Sequence, residues 1–249
     1  MSEARVQLQP SFVLHSRPFR DSSLLVDVLT ADYGRISLIA KAQRQTRNRQ
    51  SKPLHPFTEL LLSWQGKSDL KSLTASETKK ISPPLIGRNL YAGFYVNELL
   101  LRIVPQYDAC PELYSIYHQF IEELSSLSVE NNLTLEPVLR KIEFEMLDAL
   151  GYGVSFEYQG DGKEEIKASL TYGLDPELGF FSVSGSREKM SVRDQTRFFL
   201  GEEIMAIGKS DFNKPSVMKA AKQLARIVLA PHIGKRPLKS RELFKRLKR

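Results

Sequence analysis

The sequence predicts an α+β protein: a small closed β-barrel of the OB type, then a mostly helical region carrying a β-hairpin insertion. Three observations point there. Roughly the first 80 residues alternate partly in polarity and break repeatedly at turn signals. From Ile86 onward, apolar residues recur at three- and four-residue steps instead. Between Tyr152 and Ser186, six glycines interrupt that helical rhythm.

Five segments supply the strands: PSFVLHSRPF, SSLLVDVLTADYG, GRISLIAKA, PFTELLLSWQG and DLKSLTASETKKI. Asp32-Tyr33-Gly34 and Gly66-Lys67-Ser68-Asp69 are turn signals between them. Five short strands in this length fit an OB barrel over residues 1–82, with an SH3-like barrel as the competing arrangement. Gln43 to Pro56 is polar and basic, a loop between the third and fourth strands. Pro83-Pro84 can extend neither a central strand nor a helix interior, and so opens a second domain, 83–249.

A buried helix is expected in IGRNLYAGFYVNELLLRIVP, with Leu90, Phe94, Leu100 and Val104 on its apolar stripe. A second is expected from Pro111 to Leu127. In a third, Thr134 serves as cap, Leu135, Val138, Leu139, Ile142, Met146 and Leu150 form the stripe, and Gly151 is the stop. Residues 151–186 read as hairpins, with YGVSFEYQG and LGFFSVSG as strands. Two further helices are expected, Val192 to Leu200 and Pro215 to Ala230, the latter ended or kinked by Pro231. Ser240 caps a short final helix, Arg241 to Lys248.

Catalytic patterns are missing. GKS occurs at Gly66 and Gly208, but the glycine that a phosphate-cradling loop needs five positions earlier is Leu61 or Glu203. His15, His55, His118 and His232 show no metal spacing, and Cys110 is the single cysteine. Glu143 and Glu145 fall on different helix faces. No apolar run approaches the length of a membrane span and the N-terminus lacks a signal-peptide layout, so a cytoplasmic protein is expected.

Charge is distributed unevenly. Residues 33–58 hold Arg35, Lys41, Arg44, Arg47, Arg49 and Lys52 and no acid. Residues 234–249, GKRPLKSRELFKRLKR, hold eight cations, among them Lys235, Arg236, Lys239 and Arg241, against the single acid Glu242. With +6 and +7 in these segments and +7 overall, the remainder carries −6. Two basic blocks on an otherwise acidic chain suit a polyanionic partner, nucleic acid first. Leu238, Leu243, Phe244 and Leu247 would anchor the second block while its cations face phosphates. Tyr33, Phe57 and Trp64 are barrel core or base-stacking candidates.

FVLHSRPFRDSSLLVDVLTADYGRISLIAKAQR, PFTELLLSWQGKSDLKSL, LYAGFYVNELLLRIVP, LRKIEFEMLDALGYGVSF and GKRPLKSRELF resemble, in order and over nearly the whole chain, the RecO family. The resemblance implies a recombination mediator of gap repair (the RecF pathway), non-enzymatic and nucleoid-associated. It implies binding of single- and double-stranded DNA and annealing of complementary strands without ATP. The implied partners are RecR and the acidic, phenylalanine-ended tail of the single-strand-binding protein, with help in loading RecA. Many members carry a four-cysteine zinc module where this chain has residues 151–186. That stretch holds no cysteine, so neither zinc nor another cofactor is expected, and Phe156, Tyr158, Phe180 and Phe181 would pack it instead. The resemblance places the tail on the third helix, where Arg140, Lys141 and Phe144 offer cations beside a ring. The charge pattern leaves open an RNA-binding OB protein, or an OB-containing nuclease or ligase lacking the usual motifs.

Overall fold

Polarity alternation shapes the N-terminal barrel. The computed structural model describes residues 5–41, 54–80, 83–128, 132–183, 198–240 and 242–243. They fall in two compact units, 1–130 with 235–249, and 131–234.

In the first unit, five strands close a barrel in the order β1-β2-β3-β5-β4: β1 (Arg5–Phe19), β2 (Ser23–Thr30), β3 (Gly34–Ala40), β4 (Glu59–Gln65) and β5 (Leu70–Thr78). The parallel pairing of β3 with β5, Leu38 opposite Lys71, together with closure of β1 on β4, is the OB arrangement, not the SH3-like one. Every second residue of β3 is buried, as a strand with one face on a core requires. The core gathers Val13, Val26, Val28, Ile36, Leu38, Leu60, Leu62 and Trp64. Strand β1 serves both β2 and β4, and its register slips between Val6 and Gln9 and again between Val13 and His15. Such bulges bend a long strand around a small barrel.

Two helices complete this unit with the C-terminal segment: α1 (Gly87–Ile103) and α2 (Pro111–Ser126). The α1 stripe meets expectation at Leu100 and Val104 and departs from it elsewhere. Ala92, Val96, Leu99, Leu100 and Ile103 are buried, while Leu90 and Phe94 are only half-buried. Asn89 and Asn97 lie on the buried face because each has acceptors waiting there. Asn97 donates to the Leu14 carbonyl (2.9 Å) and accepts from the Tyr117 hydroxyl (2.6 Å). Burial raises the Tyr117 pKa, so it remains a donor. Tyr114 likewise donates to Glu59 (2.8 Å), and Phe12 packs between the two tyrosine rings. Phe12 and Leu14 of β1 thus hold the helical layer through ring contacts and a buried polar bond.

The second unit begins with α3 (Asn132–Ala149), which starts before Thr134, so that residue lies inside the helix and not ahead of its first turn. Its end follows the sequence. Gly151 adopts φ +74°, its amide donates to Asp148, and the Tyr152 amide donates to Leu147, the paired bonds of a glycine-terminated helix. A three-stranded sheet of order β7-β6-β8 follows: β6 (Thr171–Asp175), β7 (Gly179–Val183) and β8 (Phe198–Leu200). YGVSFEYQG forms no strand beyond an isolated bridge at Tyr158, and the partner of β7 is TYGLD. Phe180 is buried, but Tyr158 and Phe181 are exposed, and Tyr172 and Phe199 supply the remaining aromatic core. Residues 198–200 are a strand, not the end of a helix; α4 (Gly201–Gly208) starts where that helix was expected to stop. Helix α5 (Pro215–Ile233) runs through Pro231, its last turn supported by the Tyr152 ring stacked 4.0 Å from His232.

Candidate nucleic-acid interface

Described residues of both basic segments, far apart in sequence, are held near the C-terminal end of α1. At the barrel side, Gly34 turns the chain with φ +65°. A Cβ there would lie 1.9 Å from the Asp108 carbonyl, so only glycine lets the β2–β3 turn touch the α1–α2 connection. The Arg35 carbonyl then accepts from the Tyr107 amide (3.0 Å), and its Nε donates to the Val104 carbonyl at the end of α1 (2.8 Å). Burial lowers the Arg35 pKa more than nearby Asp27 raises it, leaving it below the usual arginine value. Arg35 is therefore half-buried and engaged with its own fold. Lys41 sits exposed just beyond β3. Arg44, Arg47, Arg49 and Lys52 lie outside the described residues.

From the other end of the chain, residues 236–240 lie along the last turns of α1. Arg102 donates to the Arg236 carbonyl and to that of Pro237 (2.8 Å). Glu98 accepts from the Lys239 amide (3.0 Å), the Ser240 amide (2.8 Å) and the Ser240 hydroxyl (2.7 Å). Glu98 and Arg102 also pair with each other at 2.6 Å, one helical turn apart. Leu238 is 2% exposed, which is the anchoring expected of it; Lys235, Arg236 and Lys239 stand in solvent. Leu243 is half-buried, while Arg241, Phe244 and Leu247 are outside the described residues. Residues 98 to 104 span about 9 Å of helix axis. Both basic segments are tied to that length.

Burial pushes the Glu98 pKa up, but the donors from Ser240, Lys239 and Arg102 push it down further, and the net shift is downward. Sequence reasoning passed over Glu98 and Arg102. A signal existed, since an acid and a base four residues apart in an otherwise apolar helix call for a partner. Of the aromatic candidates, Trp64 and Phe57 are buried, and Tyr33 is exposed with its ring edge-on to Trp64 at 5.4 Å. Tyr107 is also exposed, beneath Lys71 Nζ at 5.7 Å, and had not been singled out.

In the second unit, α3 separates its three candidates. Arg140 is 8% exposed and pairs with the fully buried carboxylate of Glu143 at 2.6 Å. Lys141 and Phe144 instead line a cleft of about 840 Å³, together with Phe156, Tyr158, Ile207 and Lys209. Phe144 and Phe156 meet edge to face at 5.4 Å. Glu145, Asp148, Glu157 and Glu165 line the same cleft. Among the described residues no cluster of three or more histidines, cysteines or acids could hold a metal, and no helix is long and apolar enough to cross a membrane.

Comparison with known proteins agrees with this layout. Residues 4–81 match the family model Recombination protein O N terminal, and residues 87–242 match Recombination protein O C terminal. A DNA repair protein RecO of Cellvibrio japonicus is 41% identical, over 96% of this chain and 97% of the relative. One of Haemophilus influenzae is 43% identical over 96% and 95%, and one of Mannheimia succiniciproducens 41% over 93% and 96%. With both parts of the chain matched in order and this identity sustained along nearly its full length, the chain belongs to the Recombination protein O family.

Proposed function

We propose that this protein is a DNA-repair mediator that binds single- and double-stranded DNA and anneals complementary strands without hydrolysing a nucleotide. The observation that carries the reading is the exposed set Lys235, Arg236 and Lys239, fixed on the same helix end that receives Arg35 of the barrel. Strand annealing is limited by phosphate repulsion. A cationic surface that contacts both strands lowers that repulsion, and base pairing supplies the free energy. RecR, the tail of the single-strand-binding protein and RecA loading complete the reading, with the nucleoid as its place of work. Family membership and the Lys141–Phe144 cleft support them.

Fluorescence anisotropy with a labelled single strand, repeated across salt concentrations, tests DNA binding. If about six phosphates are neutralised, the log–log slope is near −4, at ~0.7 per contact. Replacing Arg44, Arg47 and Arg49 together by alanine is expected to shallow it by about 2. An unchanged slope removes that loop from the interface. A matched RNA strand bound more tightly than the DNA strand would favour the RNA-binding alternative.

A further inference from the structure

Glu98 is an acid set within the most cationic neighbourhood described in the first unit. By charge alone it should weaken a DNA-binding surface, since a carboxylate close to phosphates repels them. Its hydrogen bonds point the other way. One carboxylate accepts from the backbone of Lys239 and Ser240 and from the Ser240 hydroxyl, and pairs with Arg102, which itself holds the carbonyls of Arg236 and Pro237. Leu238, between these attachment points, is buried. A single turn of α1 therefore grips residues 236–240 by backbone atoms on both sides of an apolar anchor. The side chains of Lys235, Arg236 and Lys239 are left in solvent. The grip uses no phosphate-binding charge of the segment itself.

We propose that Glu98 is a positioning residue for DNA binding: it holds the C-terminal segment so that Lys235, Arg236 and Lys239 contact phosphates as a fixed set. This rests on the DNA-binding reading above. Freed from Glu98, the same cations would have to be ordered at each encounter, and that entropy opposes binding.

The test is Glu98→Gln in the full chain. Glutamine keeps the shape but sets an amide donor against the donors of Ser240 or Lys239. Anisotropy against a labelled single strand is measured across salt concentrations for this variant. It is repeated for Lys235→Ala/Arg236→Ala/Lys239→Ala, and for the combination. Glu98→Gln is expected to weaken binding although it removes a negative charge, and to shallow the salt slope by up to about 2, the value of three contacts at ~0.7 each. In the triple-alanine background it should change nothing more. A merely destabilised protein would lose active molecules equally at all salt concentrations and keep its slope. Circular dichroism checks the fold, and Ser240→Ala, which removes one donor and no charge, serves as the milder variant should Glu98→Gln unfold. Tighter binding by Glu98→Gln, or an unchanged slope where the triple variant shallows it, overturns the positioning role. An unchanged slope in the triple variant overturns it too, and additionally removes the C-terminal segment from the DNA-binding reading.

Discussion

Arg35 and Arg236 carry equal weight in a count of charges, yet the fold uses them differently. Arg35 donates to the Val104 carbonyl and is half-buried, whereas the Arg236 side chain is exposed and its backbone carbonyl does the anchoring. The sequence revealed both basic blocks because a cation excess is a property of composition. It could not separate anchoring from contacting residues, because that depends on backbone acceptors brought in from elsewhere. Arg140 shows the same limit: its pairing with Glu143 is ordinary helical spacing, but its burial depends on the helix's neighbours. At this scale Glu98 gives a direct test. Its folded pKa lies below the ordinary carboxylate value of 4.5. Its contribution to holding the C-terminal segment is thus fully present above that value and fades as pH falls through the lower, folded one. A carbon-detected NMR titration of the Glu98 carboxylate should report a pKa under 4.5; a value at or above it would mean the Ser240 and Lys239 contacts do not persist in solution.

Among the elements, the five barrel strands were readable because alternation and turn residues agree, as in the every-other burial of β3. Strand β8 was not: three residues are too few to show a period, and its partner β6 comes from a stretch without strong alternation. Pro231 was read as ending or kinking the helix because it lacks an amide; the helix runs past it to Ile233, one missing bond near its end being offset by the Tyr152–His232 stack. Helix α3 carries the prediction for the partner tail. The tail's phenylalanine would enter the cleft beside Phe144 and Phe156, and its acids would have to lie toward Lys141 and Lys209, away from Glu145 and Asp148. Lys141→Ala should therefore weaken a labelled tail peptide by roughly tenfold, the loss of one charge-assisted bond, while leaving binding to naked DNA intact. Arg140→Ala is the poorer probe, since it removes a partner of the fully buried Glu143 carboxylate and so disturbs the fold as well as the surface. Equal peptide affinity in folded Lys141→Ala would move the tail off this wall.

At the scale of the molecule, neither phosphate-loop glycine nor metal cluster is found, the latter among the described residues. If the proposed passive annealing holds, complementary oligonucleotides should pair at the same rate with or without ATP and in the presence of a chelator; a rate that rises with ATP would replace a passive surface with a motor. The return of residues 235–240 to the first unit also bears on synthesis. The chain leaves that unit near residue 130, builds the second unit, and comes back to place Ser240 on Glu98, a separation of 142 residues. A ribosome can release the barrel, α1 and α2 to fold early, but the Glu98–Arg102 pair receives residues 236–240 only after the whole second unit has been made. A chain stopped within the second unit thus owns a complete barrel without owning the fixed cationic set. Under the proposed reading, that cationic set is assembled only after the whole second unit has left the ribosome.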